Sequence, residues 1–452
     1  MSRKYNPFQP NNPVFKDMFV GRGKEIKTID ENLYQTKMGN PVNIMLLGER
    51  GIGKSSLLLV ANCFAKGEFT WEEEKFNFLT IQISINDEMV LIDLAKKIHH
   101  ALHRELNKTE KEIAFVKKAW TFIERIEAVS VKIKERKDGF SEAELIDSLV
   151  YSIADTIKAI TSPTALSELG FREQKDGLLI LIDEADSASK ELKLGSFMKN
   201  LSEALIKEKC NKVMFFLAGL PRLRDSLLES HKSSLRLFEE HSLSPLTPDE
   251  INEVVKRGIA EIKEKSSVEV QVEPEALKSF VFFSEGYPHF IQQLGYSVIA
   301  IDGDNVITED DVLEAMFMED GALDRIGDRY YKNLYFNKIK EDYYRQILNI
   351  MADKLDKWIS KKEIEKHFKG KPSSLTNGLK ALRDRNIILS KSGSKGFYRL
   401  QWKGFALWIR SKILNRRTEA NDTPWGSNIQ EIPYAAKSNM PLSRNVPSSE
   451  GK

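Results

Sequence analysis

The chain has 452 residues, of which 41% are hydrophobic and 30% charged, and a net charge of +2. That is the balance of an ordinary water-facing protein with room for two or three cores. No apolar run approaches the ~20 residues of a membrane helix, the polar start Met-Ser-Arg-Lys-Tyr-Asn lacks a signal-peptide core, and Cys63 and Cys210 alone make neither a disulfide framework nor a zinc site, so a cytoplasmic protein without membrane partners is expected.

Residues 1–20 read as an extended, proline-punctuated arm. Residues 21–246 alternate short apolar runs with helical stretches. The strand candidates are Val42–Leu47, Phe76–Ile85, Leu178–Ile182, Val213–Leu217 and roughly Ser242–Leu246. Buried parallel strands read as nearly continuous apolar runs, and their alternation with helices implies right-handed crossovers. The fold class expected is therefore α/β, a three-layer parallel-sheet domain. Residues 86–176 exceed a simple crossover and read as a helical insertion, with helices at Leu91–Leu106 and Ala143–Ile160 and an extra strand candidate at Val129–Ile133.

Thr247-Pro-Asp-Glu250 opens a helix well, with Thr as cap, Pro in the first turn and Glu returning to the cap. Helices then dominate residues 247–337, and Thr308 and Asp311 mark a further helix start. Residues 338–414 read as helix Asp342–Leu355, capping box Ser360–Glu363 before a short helix Ile364–Phe368, helix Ser373–Arg385, strand Ile387–Ser390, a glycine turn, strand Phe397–Trp402 and helix Phe405–Leu414. Three helices followed by a β-hairpin is the order of a winged helix-turn-helix. Residues 415–452, rich in Pro, Ser and Asn, have the composition of a disordered tail.

Charge is distributed unevenly along this plan. Between Lys361 and Arg417 sixteen basic residues face three acidic ones, a balance of +13 that leaves −11 for the rest of the chain. An acidic body with one basic module is the electrostatic outline of a protein whose end touches polyanions.

The sharpest motif is Gly48-Glu49-Arg50-Gly51-Ile52-Gly53-Lys54-Ser55-Ser56, which satisfies G-x-x-x-x-G-K-[ST] between a strand and a helix, the context the motif requires. Gly51 and Gly53 let backbone amides turn inward around an anion, and the following helix adds its N-terminal amides and dipole. Lys54 can reach the β- and γ-phosphates of ATP, and Ser55 can ligate Mg²⁺. The strand Leu178–Ile182 then ends in Asp183-Glu184. Asp183 would hold Mg²⁺ through its water shell, and Glu184 would orient and deprotonate the attacking water. Phosphoryl transfer also calls for positive charge near the γ-phosphate, often from an arginine finger. Arg236 lies between the fourth and fifth strands, where a neighbouring subunit's nucleotide could sit, and Arg222 and Arg224 compete for the role.

Together these segments resemble the AAA+ ATPases, in particular the origin-recognition/cell-division-control initiators and their prokaryotic relatives. Phe19-Val20-Gly21-Arg22-Gly-Lys-Glu25 is similar to the family's hhGRxxE box, which places Val20, Gly21 and Arg22 beside the adenine. The phosphate loop, the Asp183-Glu184 pair, Arg236 in the finger position, a helical lid and a terminal winged helix follow in the family's order. Two departures stand out. The fourth strand ends Leu217-Ala-Gly-Leu-Pro, without the polar sensor residue usual there. The lid carries Gly286-Tyr-Pro288-His289 where many members place an arginine; Gly-x-Pro resembles the STAND signalling ATPases and implies that Pro288 approaches the nucleotide.

In a winged helix the third helix normally enters the major groove. Ser373, Ser374, Thr376, Asn377, Lys380 and Arg383 would face the DNA, Lys391 and Lys395 would sit on the wing, and Leu375, Leu379 and Leu382 would face the core. The histidines His99, His100 and His103 lack a spaced carboxylate or cysteine and read as a solvated helix. The function expected is an ATP-hydrolysing protein that binds duplex DNA and works as an initiator, loader or remodelling factor, with a homo-oligomer implied by a finger in trans. The competing reading is a STAND-like ADP/ATP switch, possible in defence against mobile elements. In either case the effector is a separately encoded protein.

Overall fold

The computed structural model describes residues 4–14, 18–71, 74–106, 109–123, 141–164, 167, 173–391 and 393–414. The strand candidate Val129–Ile133 and the tail 415–452 lie outside them. The chain divides into two compact units, one of residues 11–250 with 287–289, the other of 4–10, 251–286 and the remainder.

The first unit is built on five parallel strands, β1 (Asn43–Leu47), β2 (Leu79–Ser84), β3 (Leu178–Asp183), β4 (Val213–Gly219) and β5 (Phe238–Ser242), in the order β2-β3-β4-β1-β5. Every residue of β3 and β4 is buried. This explains their unbroken apolar letters: helices cover both faces. Around the sheet lie α1 (Gly23–Lys37), α2 (Lys54–Ala65), α3 (Leu91–Glu105), α4 (Glu110–Ala119), α5 (Glu142–Thr161), α6 (Leu194–Lys207) and α7 (Leu223–Ser230). α3, α4 and α5 fall between β2 and β3. The buried Trp120, just past α4, donates from its indole N–H to Thr156 of α5 at 3.1 Å. His99 of α3 lies against the same indole, 5.6 Å between ring centres.

β5 differs from expectation. It starts at Phe238 and ends at Ser242, paired with β1 from Asn43 to Leu47. It is an edge strand with a mostly solvated face, so its sequence Phe-Glu-Glu-His-Ser has no apolar run to read. The leucines that drew attention, Leu243 and Leu246, are buried just beyond its end.

The second unit begins within α8 (Pro248–Ser266), whose cap is reciprocal: Thr247 N–H donates to Glu250 at 2.8 Å and Glu250 N–H returns to the Thr247 hydroxyl at 3.3 Å. A two-stranded ladder of β6 (Gln271–Val272) and β7 (Val306–Ile307) accompanies α9 (Pro274–Ser284), α10 (Pro288–Ile301) and α11 (Glu309–Phe317). Thr308 and Asp311 form the expected capping box on α11. Residues 4–10 of the arm pack within this unit. Phe8 is buried against Gly295 of α10, where any Cβ would fall 2.5 Å from the phenyl ring.

Toward the C-terminus come α12 (Asp342–Ala352), β8 (Ile359–Ser360), α13 (Lys361–His367), α14 (Pro372–Asp384), β9 (Ile388–Ser390), β10 (Phe397–Leu400) and α15 (Lys403–Ile409). The three strands form one antiparallel sheet in the order β8-β10-β9. Helices and hairpin follow in the expected order; the two-residue β8 is an addition too short to leave a pattern. α14 packs closely on α12 because Gly378 has no Cβ, which would fall 2.6 Å from Ile347. Glu285, in left-handed backbone (φ 51) after α9, accepts from the N–H groups of Lys403 and Gly404 at 2.9 Å each. Burial pushes its carboxyl up from the usual range.

Candidate functional site

The C-terminal edge of the sheet gathers the predicted phosphate chemistry. β1 ends at Leu47, the loop Gly48–Gly53 follows, and α2 starts at Lys54. Gly51 (φ 79) and Gly53 (φ 102) both occupy the left-handed region that favours glycine. Gly48 N–H donates to the carbonyl of Gly219 at 3.2 Å, which ties the loop to β4. Ile52 is buried, whereas Arg50 is exposed and Glu49 half-buried. The Lys54 ammonium lies inside the loop, donating to the carbonyls of Gly48 at 2.8 Å and Glu49 at 3.0 Å. Burial pushes its pKa below the ordinary lysine value, and Asp183, Asp186 and Glu49 pull the other way.

Two strands across, β3 delivers Asp183. Its Oδ2 accepts from the Ser55 hydroxyl at 2.8 Å, and its Oδ1 accepts from the Glu184 N–H at 2.8 Å. A hydroxyl and a carboxylate at this separation are a hard-oxygen pair of the kind Mg²⁺ selects. Glu184 leaves the strand in left-handed backbone at φ 53 and is exposed. A non-glycine residue held there costs about 1 kcal/mol or more.

The other predicted residues serve the loop from outside. Arg22 is buried and its guanidinium donates to the carbonyl of Ile52 at 3.0 Å. Burial pushes its pKa down, against the pull of Glu25 and Glu250. It is therefore a brace for the phosphate loop, a role its motif did not suggest. Gly21 (φ 77) lies where a Cβ would meet Glu250 at 2.6 Å, and Val20 beside it is half-buried. The Ser56 hydroxyl accepts from the backbone N–H of Val14 at 3.0 Å, so the two adjacent serines serve different ends. Pro288 comes 3.7 Å from the position a Cβ would take on Gly53, and His289 N–H donates to the carbonyl of Gly51 at 3.2 Å.

The three arginines separate clearly. Arg236, in a short 3-10 turn before β5, is exposed, and no hydrogen bond or ion pair engages its side chain among the described residues. Arg224 pairs with Glu240 at 3.1 Å. Arg222 pairs with Asp186, a residue that motif reasoning passed over although it stands three positions after Asp183.

In the second unit, α14 shows two faces. Leu375, Leu379 and Leu382 are buried; Ser373, Thr376, Asn377, Lys380 and Arg383 are exposed, and Ser374 is half-buried. Lys361 donates to the Thr376 hydroxyl at 2.8 Å and Arg383 pairs with Asp384 at 3.2 Å. Lys391 and Lys395 are exposed in the turn between β9 and β10, the former 5.9 Å from the centre of the exposed Phe397 ring.

No family model matches the chain. Over 292 residues it is 26% identical to an uncharacterized HTH-type transcriptional regulator of Methanocaldococcus jannaschii. That match takes in 64% of this chain and 65% of the relative, so the chain spans just under two thirds of the relative's length. Among solved structures it is similar to the ORC2 protein of Aeropyrum pernix in its ADPNP-ADP complexes. The TM-score is 0.55 at 14% identity, over 92% of this chain and 99% of that one. The chain thus shares the fold of this ORC2 protein, in line with the resemblance its motifs carry. No described helix is long and apolar enough to cross a membrane.

Proposed function

We propose that the chain binds ATP with Mg²⁺ at the edge of the five-stranded sheet, hydrolyses it to ADP and phosphate, and binds duplex DNA through its basic C-terminal module. The observation that carries the reading is the 2.8 Å bond between Ser55 and Asp183, with Lys54 held one residue away inside the loop. A tight structural turn accounts for none of the three. Lys54 would exchange its loop carbonyls for β- and γ-phosphate oxygens, and Ser55 with Asp183 would hold Mg²⁺, which when bound neutralises phosphate charge. Glu184 would take the proton of the attacking water, and Arg236 of a neighbouring copy in a homo-oligomer would face the γ-phosphate. That the structurally similar ORC2 protein is described in ADPNP-ADP complexes supports nucleotide binding.

On the DNA side, the exposed polar face of α14 and the wing Lys391–Lys395 would supply phosphate and base-edge donors, within the segment Lys361–Arg417 of net charge +13. The helix-turn-helix description of the curated relative supports the same assignment. This reading makes the protein an initiator, loader or remodelling factor. One observation favours the ADP/ATP switch instead: Pro288 and His289 touch the phosphate loop directly, as a lid that reports nucleotide state to a partner effector would.

Two substitutions test the nucleotide half. Lys54→Ala is expected to remove measurable ATP binding, since its ammonium meets phosphate in the ground state. Glu184→Gln is expected to keep binding and lose about 10²–10³-fold in turnover, because it acts on the attacking water. Hydrolysis by Glu184→Gln at the wild-type rate refutes the assigned base.

A further inference from the structure

β4 lies between β1, which feeds the phosphate loop, and β3, which ends in Asp183. β4 itself ends in Gly219, without a side chain. A Cβ on Gly219 would come within 3.0 Å of Leu223 and 3.1 Å of Asp186, so a side chain there would crowd both. The space belongs to Asp186.

The Asp186 carboxylate is buried, whereas its arginine partner is largely exposed. Oδ1 accepts from the Leu220 N–H at 2.9 Å, and Oδ2 accepts from Arg222 through Nε at 2.9 Å and a terminal nitrogen at 2.8 Å. The Asp186 side chain is 6% exposed and that of Arg222 64%. Asp186 is also one of the charges that act on the Lys54 ammonium. One buried carboxylate therefore stands within electrostatic reach of two cations, and one of them is the phosphate-loop lysine. A terminal phosphate carries more negative charge than a carboxylate, and the planar guanidinium fork suits either.

We propose that Arg222 distinguishes ATP from ADP in cis, resting on Asp186 when the terminal phosphate is missing and moving to γ-phosphate oxygens when it is present. Asp186 is its positioning residue. The proposal rests on the nucleotide reading above and gives the task to an arginine just past a strand that itself ends in glycine. It also differs from the role given to Arg236, because it needs no second copy and so is independent of protein concentration.

The test uses the full chain and compares affinities for ADP and for a non-hydrolysable ATP analogue, with turnover measured across protein concentrations. Arg222→Ala should leave ADP affinity unchanged, weaken the ATP analogue about tenfold or more, and slow turnover about 10²-fold. Arg222→Lys should recover part of both. Asp186→Asn keeps shape and the Leu220 bond but removes the competing charge, so its preference for the ATP analogue should rise a few-fold, roughly 2–5. The double variant Asp186→Asn, Arg222→Ala should show the ratio of Arg222→Ala alone. A wild-type ATP:ADP ratio in Arg222→Ala, or an equal loss for both nucleotides, overturns the proposal. A wild-type protein that binds neither nucleotide removes the underlying reading as well, and the two failures are told apart by that control.

Discussion

In the nucleotide unit, Lys54, Ser55, Asp183 and Glu184 are joined to one another or to the loop by bonds of 2.8–3.0 Å. On the polar face of α14, by contrast, the side chains of Ser373, Asn377 and Lys380 have no hydrogen-bond or ion-pair partner among the described residues. The first region is preorganised, so its chemistry depends on single atoms at fixed distances. The second offers charge in quantity with little internal geometry, so its affinity should depend on the sum of cations and on salt. Isosteric changes should therefore damage the first region and barely touch the second, whereas ionic strength should do the reverse.

Arg236 is the place to break this division, because it belongs to the nucleotide unit yet is exposed and, among the described residues, without a side-chain partner, like Ser373, Asn377 and Lys380 of α14. If it acts on a neighbouring copy's nucleotide, Arg236→Ala should lose about 10³-fold in turnover. Mixing it with inactive Lys54→Ala protein should then restore activity at roughly a quarter of the interfaces, those pairing an intact loop with an intact finger. ATPase titrations against protein concentration check this. Turnover that is independent of concentration, with no recovery on mixing, would make the finger reading wrong and favour a monomeric switch.

A smaller effect sharpens the other half of the comparison. Changing Lys380 and Arg383 together to Glu should weaken binding of the full chain to duplex DNA about 10²-fold, and wild-type affinity itself should fall steeply with salt. The fold should survive, since Leu375, Leu379 and Leu382 on the opposite face are untouched. Nucleotide binding should also be unchanged. Anisotropy titrations at two salt concentrations decide it; a wild-type chain indifferent to DNA at low salt would leave the ATPase assignment standing and turn the reading toward the switch.

What could be read in advance follows the physics of each residue. β3 and β4 announce themselves because strands buried on both faces need apolar letters throughout. β5 does not, since an edge strand answers to solvent on one side. Lys54, Ser55 and Asp183 could be singled out because a phosphate-loop motif sets those groups at fixed offsets, and the structure brings them together. The work of Arg22 was not, because bracing the Ile52 carbonyl depends on a meeting thirty residues away. The Arg222–Asp186 pair was hidden for the same reason: it joins the ends of two strands that only the sheet order makes neighbours.

The smallest predicted effects come from two adjacent serines that sequence treats alike. The Ser55 hydroxyl meets Asp183, whereas the Ser56 hydroxyl holds the arm through the Val14 N–H. Ser55→Ala should raise the Mg²⁺ concentration needed for ATP binding about tenfold, because one oxygen ligand is lost while Asp183 remains. Ser56→Ala should leave that Mg²⁺ requirement alone and loosen only the arm. A neutral hydrogen bond contributes about 1 kcal/mol, so the Val14 amide should exchange with solvent about fivefold faster, and the rest of the chain at its former rate. Hydrogen exchange read at Val14, beside Mg²⁺ titrations of both variants, tests the pair. If Ser56→Ala shifts the Mg²⁺ requirement as much as Ser55→Ala does, the division of labour between them is wrong, and the arm is part of the nucleotide site rather than tied beside it.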